Sequence, residues 1–182
     1  MKKSLIRSSL VLSLVFLLCL AFSCKKQAED TDPGAELKAR VRLEINEAYN
    51  KGNLDVLDDM YSPDVLYHLT PYPDVVGLEA YKQYITAQRT SYPDIKLTIQ
   101  EIIVDGDNGA MRWTFEGTHE GDSPTLGISA TGNHVKFTGT VVFHTVEGKG
   151  VEIWNNVDWM SLLKQLGYTF TPPQVPEKEE TN

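Results

Sequence analysis

Apolar residues recur at four-residue steps in the first half of the chain and at two-residue steps in the second, so helices are expected first and strands afterwards. Over Ala35 to Asn50, Leu37, Val41, Ile45 and Tyr49 make one apolar stripe on a helix that stops at Gly52. Asn53 is placed to cap a second, short helix over "LDVLDDMY", with Asp55 favourable in its first turn. A brief extended piece, Val65 to His68, and the turn-rich "TPYPDVVG" lead to a third helix from about Leu78 to Ser91, which Pro93 ends.

The period then changes. Ile95, Leu97 and Ile99 alternate, whereas Ile102 and Val104 are shifted by one position, which predicts a β-bulge near Gln100 or Glu101. "DGDNG", residues 105–109, has the composition of a hairpin turn. It leads into a strand over Ala110 to His119, with Met111, Trp113 and Phe115 on one face and Arg112, Thr114 and Glu116 on the other. A further strand, His134 to Val146, puts Phe137, Gly139, Val141 and Phe143 on one face, and "EGKG" turns it back into Val151 to Asn156. The expected class is α+β, with helices packed on one face of a curved, mostly antiparallel sheet.

The N-terminus does not belong to that fold. Met1 to Arg7 carries Lys2, Lys3 and Arg7, and the uncharged "SLVLSLVFLLCLAFS" follows, which are the basic and apolar regions of a secretory signal. The apolar run is shorter than the roughly 20 residues a membrane-spanning helix needs. Ser23 before Cys24, after Leu20-Ala21-Phe22, resembles a bacterial lipobox, which implies cleavage before Cys24 and a lipid-modified cysteine that tethers the protein to a membrane of the cell envelope. The only other cysteine, Cys19, lies inside the signal, so the mature chain has no disulfide and no cysteine-based metal site. The expected organisation is signal peptide 1–23, lipidated Cys and tether 24–34, one domain 35–170, and a proline-rich, charged tail 171–182.

Removing residues 1–23 takes away three of the 17 basic residues and none of the 25 acidic ones, leaving a formal net charge of −11. That balance argues against nucleic acid and anionic lipid as partners, since both are recognised by basic surfaces.

Within this frame, "AYNKGNLDVLDDMYSPDVLYH", "RTSYPDIKLTIQEIIVDGD", "RWTFEGTHEGD", "GISATGNHVKFTG" and "VEIWNNVDWMSLLKQLG" together resemble the SnoaL-like polyketide cyclase family of the nuclear transport factor 2-like superfamily, over nearly all of Glu44 to Tyr168. The resemblance implies a cone-like α+β fold around a mostly apolar pocket, commonly in a homodimer that pairs the outer faces of the sheets. It also implies ester cyclisation by intramolecular aldol condensation, or related proton-transfer chemistry such as isomerisation, with no metal or organic cofactor. A base must take a proton from carbon next to a carbonyl and an acid must protonate the new alkoxide, so one carboxylate with a raised pKa can serve both steps. By the resemblance, the acid/base Asp of these cyclases falls at Asn155 and a second position, a His, falls at Val141. An asparagine amide neither takes up nor releases a proton near neutral pH, although it can orient a carbonyl or hold a water. His144 is three residues from Val141 and is expected on the opposite face.

Other residues are weighed as replacements. Asp158 stands before "WMSLLKQLG", where it would cap a helix; with a later helix start its carboxylate would instead reach the pocket. His68 and His119, each at the end of an extended segment, are candidate bases at a pocket rim. The four histidines, His68, His119, His134 and His144, show no spacing that marks a metal site, and "GDNG" and "GKG" read as turns, not phosphate loops. Trp113, Phe115, Phe137 and Phe143, with Tyr49 and Tyr67, are expected to line an apolar cavity of a few hundred Å3, roughly the common size for a small-ligand site. The ligand expected there is apolar or carbonyl-bearing, with Val141 and Asn155 also in contact. Trp154 alternates with Asn155, so it should face outward and pack in a dimer interface. Two functions therefore stand side by side: a lipid-tethered proton-transfer enzyme, and a non-catalytic small-molecule-binding or dimeric interaction domain with Asn155 as a polar anchor.

Overall fold

Val41, Glu44, Ile45, Ala48 and Tyr49 are all buried, and their spacing puts them on one face of the first helix. In the computed structural model, which describes Asp32 and residues 34–171, this helix is α1 (Ala35–Glu44) continued by a wider, π-helical segment (Ile45–Lys51). The signal segment 1–23, Cys24, the tether up to residue 31 and the tail beyond residue 171 lie outside the described residues. Two interactions hold the widened end: Arg89 Nη1 donates to the Tyr49 carbonyl, and Asn50 bonds both the carbonyl (3.0 Å) and the N–H (2.7 Å) of Leu97. Gly52, at φ 83°, then closes the helix in the left-handed region that glycine adopts without penalty.

Asn53 differs from its expected role. Its backbone N–H donates to the Glu47 carbonyl at 2.8 Å, tying it to the helix before, and its side chain makes no capping bond. The next segment is a 3-10 turn, Leu54–Val56, followed by α2 (Leu57–Met60). Strand β1 (Tyr61–His68) starts four residues earlier than its apolar part suggests, and β2 (Val75–Val76), within a stretch expected to be all turn, pairs with Leu66 and Tyr67. Helix α3 (Leu78–Ser91) has the expected bounds.

The remaining strands are β3 (Lys96–Asp105), β4 (Asn108–Thr118), β5 (His134–Val146) and β6 (Lys149–Val157), followed by α4 (Trp159–Gln165). They form one six-stranded sheet in the order β2-β1-β6-β5-β4-β3, antiparallel except where β1 meets β6. The β3–β4 register slips between Ile99 and Glu101, so the bulge lies at Gln100, where the change of hydrophobic phase places it.

Strand alternation gives the sheet two different faces. Inward, Met111, Trp113, Phe115, Phe137, Val141, Phe143 and Ile153 pack against the apolar sides of α1 and α3. Gly139 makes room for this layer, because a Cβ there would collide with the Trp113 ring. Outward, paired positions on neighbouring strands form the row Ile103, Ala110, Val142, Trp154 and His68. Ile103, Val142 and Trp154 in that row are exposed, Trp154 at 37%. Among the described residues no helix is long and apolar enough to cross a membrane.

Candidate functional site

The inner face of the sheet and the helices above it enclose a cavity of about 100 Å3. Its floor is made by Trp113, Phe115, Phe137, Val141, Phe143 and Asn155, and Tyr49 and Tyr67 also line it, so all eight residues expected to bind a ligand share one cavity. The volume is smaller than expected because Tyr61, Tyr81, Tyr84 and Tyr92 also turn into it. The half-buried Tyr84, Gln88, Thr125 and Leu126 stand at its edge.

Asn155 sits on β6 with its side chain buried. Its Nδ2 donates to the Tyr67 hydroxyl at 2.6 Å, while Oδ1 has no partner. A buried polar atom left unpaired costs about 1–3 kcal/mol, and a ligand donor is one way to recover that loss.

On the wall formed by α1, Glu44 is 5% exposed and lines the same cavity. The Tyr61 hydroxyl donates to Glu44 Oε2 at 2.7 Å and the Tyr81 hydroxyl donates to Oε1 at 2.8 Å. Because the Tyr81 proton is committed to Glu44, Tyr49 is the donor in the 3.1 Å contact between the Tyr49 and Tyr81 hydroxyls. The Tyr67 ring packs 5.0 Å from Tyr81 and 5.2 Å from Tyr84, which joins Glu44 to Asn155 through one tyrosine cluster. Burial pushes the Glu44 carboxyl above the ordinary carboxylate range, and the two hydroxyl donors offset only part of that. Burial also raises the tyrosines, with Tyr84 and Tyr92 each pushed up to about 12, so these hydroxyls stay protonated and available as donors.

The proposed replacement bases stand elsewhere. Asp158 is exposed and caps α4, its Oδ1 accepting from the Ser161 N–H at 3.0 Å; it does not line the cavity, because the helix begins directly after it. His68 lies on the face of β1 opposite the buried Tyr67, and so points away from the cavity. Its Nδ1 is 3.0 Å from Asp74, its Nε2 is 3.0 Å from Glu152, and its ring stacks on Trp154. These carboxylates, Glu152 foremost, raise the His68 pKa. His119 is fully buried beside Tyr92 but does not line the cavity. Its Nδ1 accepts from the Thr131 N–H, its Nε2 has no partner, and desolvation lowers its pKa. His144 faces outward from β5, bonded to Asn108, and His134 pairs with Glu116. Among the described residues no three His, Cys, Asp or Glu side chains are grouped to hold a metal ion.

Four-residue steps alone leave out Glu44, and they say nothing of Tyr61 and Tyr81, its two hydrogen-bond partners. Glu44 occupies the i+3 position after Val41, inside the stripe 41, 44, 45, 48, 49 that helical geometry turns inward. A glutamate at such a position is the signal that exposes it.

The chain belongs to the SnoaL-like polyketide cyclase family, whose model matches residues 39–166. A protein assigned as a SnoaL-like polyketide cyclase from Jannaschia sp. CCS1 superposes with a TM-score of 0.68 at 19% identity, covering 80% of this chain and 100% of the other. AclR from Streptomyces galilaeus, assigned as a hydroxylase, is 28% identical with a TM-score of 0.62, covering 73% and 96%. IdmH from Streptomyces antibioticus, assigned as a polyketide cyclase, is 25% identical with a TM-score of 0.60, covering 72% and 98%. No curated protein matches the chain. The fold is thus the nuclear transport factor 2-like α+β architecture that the sequence motifs imply.

Proposed function

We propose that this protein is a membrane-tethered SnoaL-like domain that takes a compact, mostly apolar molecule carrying a carbonyl and a neighbouring hydroxyl or enol, and that it supports proton-transfer chemistry of the aldol or isomerisation kind on it. The observation that carries this reading is the unpaired Asn155 Oδ1 inside an otherwise apolar, aromatic-lined cavity. It can accept a hydrogen bond from a ligand hydroxyl. The enclosed volume of about 100 Å3 limits the occupant to a small ring compound. The resemblance of AclR and IdmH over most of their length supports a small-molecule site. A second reading, binding without turnover, is favoured by Asn155 itself, because an amide cannot carry the proton.

The test is titration of the full chain with 2-hydroxycyclohexanone, followed by NMR of the ligand. Asn155→Leu should weaken binding about tenfold, which corresponds to the roughly 1.4 kcal/mol of one good hydrogen bond. Equal affinity in both proteins, or none in either, would sink the reading.

Two further parts of the proposal rest on separate features. Cys24 after "LAFS" supports lipid anchoring in the envelope, so Cys24→Ala should move the protein from membrane to soluble fractions, and persistent attachment would refute it. The exposed row through Ile103, Val142 and Trp154 supports a homodimer that pairs the outer sheet faces. Trp154→Asp should then sediment as a monomer while the parent chain sediments as a dimer; a monomeric parent chain excludes the pairing.

A further inference from the structure

The carboxyl group that position 155 lacks is present on the other wall of the cavity. We propose that Glu44 is the acid/base of this site, carrying a proton to and from the carbon beside a bound carbonyl, with Tyr61 and Tyr81 holding the carboxyl and Asn155 holding the ligand hydroxyl. The proposal rests on the small-molecule reading above and adds the group that reading lacks.

Three observations point the same way. The first is position: Glu44 lines the cavity together with Asn155, and the tyrosine cluster runs between them. The second is cost. A glutamate in a buried helical stripe that would otherwise hold an aliphatic residue gives up hydration that leucine would not need. Among the described residues no cation is paired with it; Arg40, which also lines the cavity, donates instead to the Asp59 carbonyl at 2.8 Å. The third is preorganisation. Each carboxyl oxygen is fixed by one tyrosine hydroxyl, so the group cannot swing out of the cavity without breaking two hydrogen bonds, the one to Tyr81 buried and the one to Tyr61 partly so. Burial that disfavours the ionised form gives this carboxyl the property a proton carrier needs, as the cyclisation chemistry requires of its acid/base.

The step balances within the cavity. The Glu44 carboxylate takes the proton from the carbon next to the carbonyl, the C–H electron pair passes into the enolate, and Glu44 becomes a neutral acid. Once that proton has been replaced from solvent, Glu44 delivers the solvent hydron to the same carbon, giving exchange; delivered to another carbon of a conjugated ligand, the proton gives isomerisation. Where the enolate carbon attacks a second carbonyl, the proton goes to the resulting alkoxide, closing a ring. Tyr61 and Tyr81 keep their own protons and stabilise the carboxylate between steps.

The experiment uses the full chain and 2-hydroxycyclohexanone in D2O, with loss of the ligand's α-hydrogen signals followed by NMR. The parent protein should exchange these hydrogens faster than buffer, and Glu44→Gln, which keeps an acceptor for a tyrosine, should lower the rate at least about 100-fold while the ligand still binds. Tyr61→Phe removes one donor to the carboxylate and leaves the carboxyl in place. It should shift the pH midpoint of exchange upward, a change that a purely structural glutamate would not produce. Binding without exchange in the parent protein, exchange unchanged in Glu44→Gln, or an unmoved midpoint in Tyr61→Phe overturns the role of Glu44 and leaves the ligand site standing. Absence of binding overturns the ligand site itself, and the proposal with it.

Discussion

Two clusters of acidic and hydrogen-bonding groups lie on opposite sides of the same sheet, and solvent makes them behave differently. Inside, Glu44 is surrounded by neutral tyrosine hydroxyls. Outside, His68 is held between Asp74 and Glu152, whose side chains are 47% and 37% exposed. Both Glu44 and His68 have raised pKa values, but the consequences are opposite. A raised carboxyl pKa favours a neutral group and a raised imidazole pKa favours a charged one. The inner cluster therefore favours a neutral carboxyl in a buried site, and the outer one favours a protonated imidazole between carboxylates that water can still screen.

The comparison breaks most visibly in stability. Glu44→Leu recovers the lost hydration but leaves the Tyr61 and Tyr81 hydroxyls without their acceptor, and on balance should cost about 1–3 kcal/mol in urea unfolding. Glu152→Leu, on the wetter face, should change stability by no more than about 0.5 kcal/mol. Equal costs would mean that burial does not separate the two sites. Glu44→Gln sharpens the point through pH. Because the folded pKa of Glu44 lies above its ordinary value of 4.5, its stabilising contribution is full below that pH and is lost as pH rises through the folded value. The parent protein should therefore lose stability relative to Glu44→Gln as pH rises over that window.

Neither cluster was legible in the sequence, which put His68 at the cavity rim, although the strand faces around both were. Alternation and bulge position could be read from Ile95 to Val104 because a strand's side chains obey a local period. The inward set Trp113, Phe115, Phe137, Val141 and Phe143 followed from the same rule, and so did the outward direction of Trp154 and His144. Asn155 could be placed because the resemblance to the SnoaL-like cyclases assigns a role to that position. Glu44 could not be reached in that way. Its partners Tyr61 and Tyr81 are 17 and 37 residues away and meet it only when α1, β1 and α3 close over the sheet. Histidines have an ordinary pKa near neutral, yet of the four only His119 is buried, and it is not in the cavity. Chemistry at this site comes from environment acting on a residue whose ordinary pKa is unremarkable.

A third carboxylate sets the intermediate case. Asp158 is exposed, like the outer cluster, but its partner is the Ser161 backbone N–H, which α4 would otherwise leave without an acceptor. Asp158→Ala should cost about 0.5–2 kcal/mol in thermal or urea unfolding and leave the affinity for 2-hydroxycyclohexanone unchanged. A specific loss of binding without loss of stability would move Asp158 back into the site and undo its assignment as a cap.

The smallest effect belongs to His68. Glu152 is the leading cause of its raised pKa, Asp74 adds to it, and desolvation opposes both. Glu152→Gln should therefore bring the imidazole titration, read by NMR, back toward 6.5, with a residual upward shift from Asp74. The folded pKa is raised, so the stabilisation is fully present below about 6.5 and disappears as pH rises through the folded value. Its size should stay within the roughly 0.2–1 kcal/mol of exposed ion pairs and shrink in high salt. If Glu152→Gln leaves the titration where it is, the 3.0 Å contact does not hold the proton on His68. The charged outer cluster would then lose its basis, and the contrast with Glu44 would rest on burial alone.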